Sequence, residues 1–182
     1  MILMHQTSID HLLDTAWDLD TIETYCRACS NYDVHFSCPH HDFSIPDFLH
    51  RYQSVLVASH AIAIDPAQPG TLDDHFYSNK TRLDQLLLSL EKTIRGSKAL
   101  IAGPCQNCQP SCDTSHLPSC PQPDLLRYSF ESLGFDVAAL LKSYFDKELT
   151  FNQEEVILVY GLLLADPLAD KQIDRLKGAL GG

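Results

Sequence analysis

Positive charge is scarce in this 182-residue chain, which has 13 Lys and Arg residues against 24 Asp and Glu residues and a formal net charge of −11. A surface with this balance repels the phosphate backbone of nucleic acids and anionic lipid headgroups. Long apolar runs are also missing, since the longest candidate, residues 156–165, is about half the length that a bilayer requires. We therefore expect neither nucleic acid nor a membrane as a partner.

Targeting and nucleotide-binding motifs are absent as well. The N-terminus, MILMHQTSIDHLLD, has no basic segment followed by an apolar core, so we expect a cytoplasmic protein rather than a secreted one. The patterns G-x-G-x-x-G, G-x4-G-K-[ST] and G-x-S-x-G do not occur. Hydrolase and kinase functions thus have no support, and the sequence leans against an enzyme without deciding the matter.

The chain is long enough for one domain, 1–182, with its own apolar core, because 45% of its residues are hydrophobic. Apolar spacing predicts helices after a Ser8 cap, over 78–95, within 129–145 behind an Asp136 cap, and from an Asp166–Pro167 start to the C-terminus. Apolar and β-branched runs predict strands over 54–64, 98–102 and 155–164. The expected class is α/β or α+β, with a small mixed or mainly parallel sheet covered by helices. Two irregular cysteine-rich loops, about 25–41 and 103–123, interrupt this pattern.

Seven cysteines are the anomaly, because an odd number fits poorly with a disulfide framework and cytoplasmic domains of this size carry few. They fall into two groups separated by a long cysteine-free stretch. The first group is Cys26, Cys29 and Cys38, and the second is Cys105, Cys108, Cys112 and Cys120. This clustering favours metal binding.

The second group has the spacing C-x2-C-x3-C-x7-C-P in a loop rich in proline and poor in apolar side chains. Ordering each backbone residue costs about 1–2 kcal/mol, and a metal centre that holds the loop at four points can offset this cost. The tight spacing with a closing Cys-Pro favours an iron–sulfur cluster, [4Fe-4S] in type, over zinc, whose sites usually pair two C-x2-C units. Structural or redox thiols are the third interpretation.

The first group has the spacing C-x2-C-x8-C-P, with His40 and His41 close behind its third cysteine. Three thiolates can hold a cluster with one iron open to a histidine, water or substrate, or a zinc ion completed by one of these histidines. We take His40 as the candidate fourth ligand of a second centre. The alternative is that these cysteines are simply buried packing residues.

Two further predictions concern residues beside the second group. His116 lies inside the loop, where four cysteines already complete a cluster, so it is expected to donate a hydrogen bond to a ligand rather than to bind metal. Arg127 and Glu131 lie one helical turn apart, a spacing that predicts an ion pair at a helix start.

Taken together, these motifs resemble the DUF2284 family of predicted metal-binding proteins. The resemblance is carried by C-x2-C with Tyr32 shortly after it, by Ser37-Cys38-Pro39, by AGPC-x2-C-x3-C-x7-C-x2-P from Ala102, and by RYSFE-x2-GFDV from Arg127. The resemblance implies a cytoplasmic bacterial or archaeal protein with iron–sulfur chemistry. It does not indicate a specific biochemical role. The family commonly continues Cys-Pro-Pro where this chain has Cys38-Pro39-His40, a departure that either adds a ligand or alters the loop.

Three functions remain open. The first is a redox or accessory protein whose cluster serves a partner protein, for example by electron transfer. The second is a zinc-stabilised interaction module without redox chemistry. The third is an enzyme that uses an open iron position at the first cysteine group.

Overall fold

The computed structural model describes residues 2–64, 67, 69–108, 117–149 and 154–181. These residues form six α-helices, four β-strands and two 3₁₀ turns. The strands are β1 (Ile2–Ser8), β2 (Ser54–Ala63), β3 (Lys98–Leu100) and β4 (Glu155–Leu164). The helices are α1 (Ile9–Ala16), α2 (Leu19–Arg27), α3 (Ile45–Leu49), α4 (Leu72–Thr93), α5 (Val137–Phe145) and α6 (Asp170–Gly181), and the 3₁₀ turns are Pro123–Leu125 and Glu131–Leu133. The predicted combination of helices with a small sheet is confirmed, as an α+β fold.

The four strands form one sheet in the order β1-β2-β4-β3, and every neighbouring pair is antiparallel. The expectation of a mainly parallel sheet is therefore wrong. The strands that α4 connects, β2 and β3, run in the same direction, because each is antiparallel to β4. β4 lies between them in the opposite direction, and its ten residues pair with β2 from end to end. The alternation of strands and helices along the chain cannot reveal this insertion.

Both faces of the sheet are buried, which explains the nearly continuous apolar runs of β2 and β4. Val55 and Val57 of β2 face one core, which packs against α1, α3 and α5. Leu56 and Ala58 alternate with them and face a second core, which packs against α4 and α6. The fold thus has a helical layer on each side of the sheet.

Local capping accounts for where the helices begin. Ser8 caps α1, as predicted, and accepts a hydrogen bond from the His11 amide at 3.2 Å. Asp136 caps α5, also as predicted. Helix α4 begins earlier than expected, because Thr71 caps it in a reciprocal capping box.

The start of α6 differs from the predicted Asp166–Pro167 position. The Gln6 side chain of β1 accepts a hydrogen bond from the Leu168 amide at 2.8 Å and donates one to the Leu168 carbonyl at 3.1 Å. These bonds tie Leu168 to the sheet edge, and the helix begins at Asp170. None of the helices in the described ranges is both long enough and apolar enough to cross a membrane.

Candidate metal centre

The first cysteine group lies at the C-terminal end of α2. Asp18 caps this helix and accepts a hydrogen bond from the Thr21 amide at 3.1 Å. Cys26 lies in the last helical turn, and the Cys29 amide donates to the Cys26 carbonyl at 2.9 Å, so Cys29 continues the turn directly after the helix. Cys38 follows a series of turns in which its amide donates to the His35 carbonyl at 2.9 Å.

A backbone pairing brings α2 against a segment that lies more than a hundred residues later. The Asp18 amide donates to the Gly134 carbonyl at 3.0 Å, and the Asp136 amide donates to the Ala16 carbonyl at 2.9 Å. The indole of Trp17 donates to the Leu133 carbonyl at 2.9 Å. As a result, the 3₁₀ turn Glu131–Leu133 lies beside the cysteines of the first group.

Cys26, Cys29 and Cys38 line one cavity of about 680 Å³. One wall carries polar residues of the 129–136 segment, and Asn31, Tyr32 and apolar residues complete the lining. The polar residues of that wall are Ser129, Glu131, Ser132 and Asp136. The Cys26 Sγ lies 4.0 Å from the carbonyl oxygen of Glu131. The structure thus brings the first cysteine group together around one space, which we call the thiol cavity.

The surroundings of the thiol cavity keep the Cys26 and Cys38 thiols protonated at neutral pH. Burial, followed by the charges of Glu131 and Cys29, raises the pKa of Cys26 to about 11. Burial also raises the pKa of Cys38 to about 11, against an opposing hydrogen bond with Ser37. Metal binding requires thiolates, so a metal entering the cavity must displace these protons.

Glu131 has different surroundings from those that its spacing from Arg127 predicts. The predicted ion pair with Arg127 is wrong, because Arg127 pairs with Glu91 of α4 instead. The Glu131 Oε2 is buried and has no hydrogen-bond partner among the described residues. Burial raises the pKa of this carboxyl group, while its own amide and the Ser129 side chain lower it. No local sequence pattern identifies Glu131 as a residue of this site, because only the folded structure shows that the Arg127 side chain contacts Glu91 instead.

The second cysteine group lies around a much narrower space. Cys105 is buried, Cys108 and Cys120 are half-buried, and all three line a cleft with room for about one water molecule. The ring of His35 lines the same cleft, and its Nδ1 is buried with no partner in the described part of the chain. Cys112 and His116 lie outside the described residues.

Two contacts fix the base of this second loop. The Ile101 amide donates to the Tyr128 carbonyl at 2.9 Å and closes the loop where it leaves β3. Arg127 donates to both carboxylate oxygens of Glu91 and also to the carbonyls of Asp124 and Leu126, at 2.7 and 2.8 Å. The arginine is only 5% exposed, so this contact is a buried clamp.

One hydrogen bond joins the two cysteine groups directly. The Cys105 amide donates to the Ser37 Oγ at 2.8 Å, and Ser37 is almost fully buried beside Cys38. The charges of Cys26, Cys29 and Cys105 all act on the Cys38 thiol. The two groups are therefore neighbours in space, although a long cysteine-free stretch separates them in sequence.

The two histidines behind Cys38 have other contacts. The ring of His40 is 77% exposed, and its Nδ1 lies 3.8 Å from a Glu23 carboxylate oxygen, outside the thiol cavity. The His41 Nε2 donates to the Ser132 carbonyl at 2.8 Å. His41 also stacks on Phe43, and burial lowers its pKa. A role for His40 as a ligand stays a prediction.

The site contains side chains that can bind metal, but the described ones do not converge on a single ion. In the ranges that the structure describes, no three His, Cys, Asp or Glu side chains lie close enough together to hold one metal ion. The donors nevertheless suit metal, because three thiols and one unpartnered carboxyl oxygen surround a common cavity. A sequence model of the DUF2284 family, described as a predicted metal-binding protein, matches residues 19–165.

That segment contains all seven cysteines and most of the chain, so the protein belongs to the DUF2284 family, as its motifs indicated. Neither a curated protein nor a solved structure matches the chain.

Proposed function

We propose that this member of the DUF2284 family binds iron–sulfur clusters at its two cysteine groups and serves a partner protein as an electron carrier or accessory protein. The observation that carries the proposal is the thiol cavity, in which Cys26 and Cys29 at the end of α2 and Cys38 from a later turn surround one space. The Ser37–Cys105 hydrogen bond supports a second centre directly beside the first.

The spacing of the thiols favours a cluster over a single zinc ion. Zinc with four thiolates at about 2.3 Å draws all of its ligands toward one point. A cluster attaches its thiolates to different irons, so the cysteines surround a larger volume. Thiols that line a cavity of about 680 Å³, without three of the described donors meeting at one position, agree better with the second arrangement.

The distribution of exposed apolar side chains supports a protein partner. Four large apolar side chains of the described residues are notably exposed, and each lies within or beside a cysteine loop. They are Tyr25, Val34, Leu117 and Leu125. Apolar side chains exposed beside a functional site are candidate contacts for a partner. A partner that docks here would lie close to both cysteine groups, as electron transfer requires.

The experiment that tests this proposal is metal and sulfide analysis of protein purified without oxygen. We expect brown protein with broad visible absorbance and with iron and acid-labile sulfide in near-equal amounts. The matched control is the variant Cys26→Ser/Cys29→Ser/Cys38→Ser, which should lose the iron of the thiol cavity. Colourless protein with stoichiometric zinc would overturn the proposal in favour of a zinc-stabilised module.

A further inference from the structure

The first cysteine group supplies three thiolates, and the fourth position of its centre needs another occupant. His40, the nearest candidate in sequence, is mostly exposed and faces Glu23 outside the thiol cavity. His41 donates its Nε2 hydrogen to the Ser132 carbonyl. Asp136 lines the cavity, but its Oδ1 accepts hydrogen bonds from the Ala138 and Ala139 amides at the start of α5.

Glu131 differs from each of these residues. It lines the same cavity as the three cysteines, and its Oε2 is buried without a hydrogen-bond partner in the described ranges. Buried polar atoms in native proteins are nearly always paired, so an orphaned carboxyl oxygen indicates a group that the free chain does not supply. A metal ion is such a group, and carboxylate oxygen is a known ligand for iron in proteins.

The turn that carries Glu131 is held firmly in place. The Ser129 amide donates to the Ser132 Oγ at 3.0 Å, and the Ser132 amide donates to the Ser129 Oγ at 3.1 Å. Phe130 is fully buried. Gly134 closes the turn with φ +83, a conformation that favours glycine. A ligand on this turn is pre-positioned by the scaffold, whereas Cys29 and Cys38 lie on irregular loops.

We propose that the Glu131 carboxylate is the fourth protein ligand of the centre held by Cys26, Cys29 and Cys38. This inference rests on the proposed function, because it concerns the same centre. The fourth ligand is thus Glu131 and not His40, the histidine predicted from sequence. Glu131 lies 105 positions after Cys26, and the pairing of Asp18 with Gly134 brings the two residues close together. This assignment also gives the two centres different ligand sets.

The test compares single variants after anaerobic purification, with iron per chain and the EPR spectrum as measurements. Glu131→Gln keeps the shape of the side chain and removes the carboxylate. We expect it either to lose about one iron in four from this centre, with a three-iron EPR signal after mild oxidation by ferricyanide that the identically treated parent lacks, or to lose the whole cluster. Glu131→Cys supplies a thiolate instead and should retain the full iron content with an altered spectrum.

Two controls make the result specific. Glu23→Gln removes a carboxylate beside the same loop but outside the thiol cavity, and His40→Ala removes the ligand predicted from sequence. Both should keep the iron content and spectrum of the parent. Far-UV circular dichroism verifies the fold, and if Glu131→Gln fails to fold, Glu131→Cys and His40→Ala still decide between the two ligands.

The outcomes separate this inference from the proposed function. A parent chain that binds no iron would overturn both. A parent with iron–sulfur clusters and a Glu131→Gln variant with unchanged iron and EPR spectrum would overturn the ligand assignment alone. Loss of iron in His40→Ala, with Glu131→Gln and Glu131→Cys unaffected, would return the fourth position to the histidine.

Discussion

The two cysteine groups are neighbours, yet the protein surrounds them differently. The first group opens onto a cavity of about 680 Å³ at the end of α2. The described cysteines of the second group, Cys105, Cys108 and Cys120, lie around a cleft with room for about one water molecule, and the Arg127–Glu91 pair clamps the end of that loop. For the two proposed centres, this contrast predicts that the second is tightly held and the first is accessible.

The difference has a chemical consequence for the proposed centres. A cluster with four thiolates is fully capped by soft ligands, whereas a cluster with three thiolates and one carboxylate has a harder and more exchangeable ligand. The thiol cavity also leaves space beside that position. We therefore expect oxygen to attack the first centre before the second, because the first group lines the larger cavity.

The largest effect is expected from breaking the clamp of the second group. Arg127→Met leaves the Glu91 carboxylate, 16% exposed, with only the Ala99 amide as a partner among the described residues, so the free energy of unfolding should fall by about 3 kcal/mol in urea denaturation. The second centre should lose its iron before the first. Lys142→Met, which breaks the exposed pairs with Asp146 and Glu148, should leave the free energy of unfolding nearly unchanged. Equal effects of the two substitutions would show that the clamp is not a structural anchor.

A smaller effect is expected at the hydrogen bond that joins the groups. Ser37→Ala leaves the buried Cys105 amide without its acceptor, so the free energy of unfolding should fall by about 1–3 kcal/mol. Because the bond connects both loops, the iron content of both centres should decrease together. Ser78→Ala, at an exposed position of α4, is the matched control and should have no effect on iron. If Ser37→Ala affected only one centre, the two groups would be independent.

The smallest effect concerns His41, which lies behind Ser132 of the thiol cavity, and it depends on pH. Burial holds the pKa of His41 below its ordinary value, so the unfolded chain takes up a proton first as the pH falls below about 6.5. Stability from neutral His41 is present above that pH and is lost under acid conditions. His41→Gln keeps a donor for the Ser132 carbonyl and should make the loss of stability at acid pH smaller than in the parent. An identical pH profile in parent and variant would contradict this assignment.

Local signals explain which parts of the fold could be predicted. The Ser8 and Asp136 caps and the apolar runs of β2 and β4 depend on neighbouring residues, and the structure confirms them. The edge strand β1 was not predicted, because it alternates polar and apolar side chains weakly and is defined by its pairing with β2. Strand direction likewise depends on the insertion of β4, which no local pattern records.

The same distinction applies to the site. The spacing of the first-group cysteines alone predicts that they form one site, and in the structure all three line one cavity. Spacing also assigned Glu131 to Arg127, four residues away, although the chain turns there as a short 3₁₀ element and Arg127 reaches α4 instead. The place of Glu131 beside Cys26 follows from pairing between distant segments, so only the folded chain reveals it.

Iron per chain in the Cys26→Ser/Cys29→Ser variant, compared with the parent, tests the central claim of two distinct iron–sulfur centres most directly. Two distinct centres predict a drop to about half, with the spectrum of the second centre intact. Unchanged iron content would contradict a centre in the thiol cavity. Complete loss of iron would show instead that both cysteine groups bind one shared cluster.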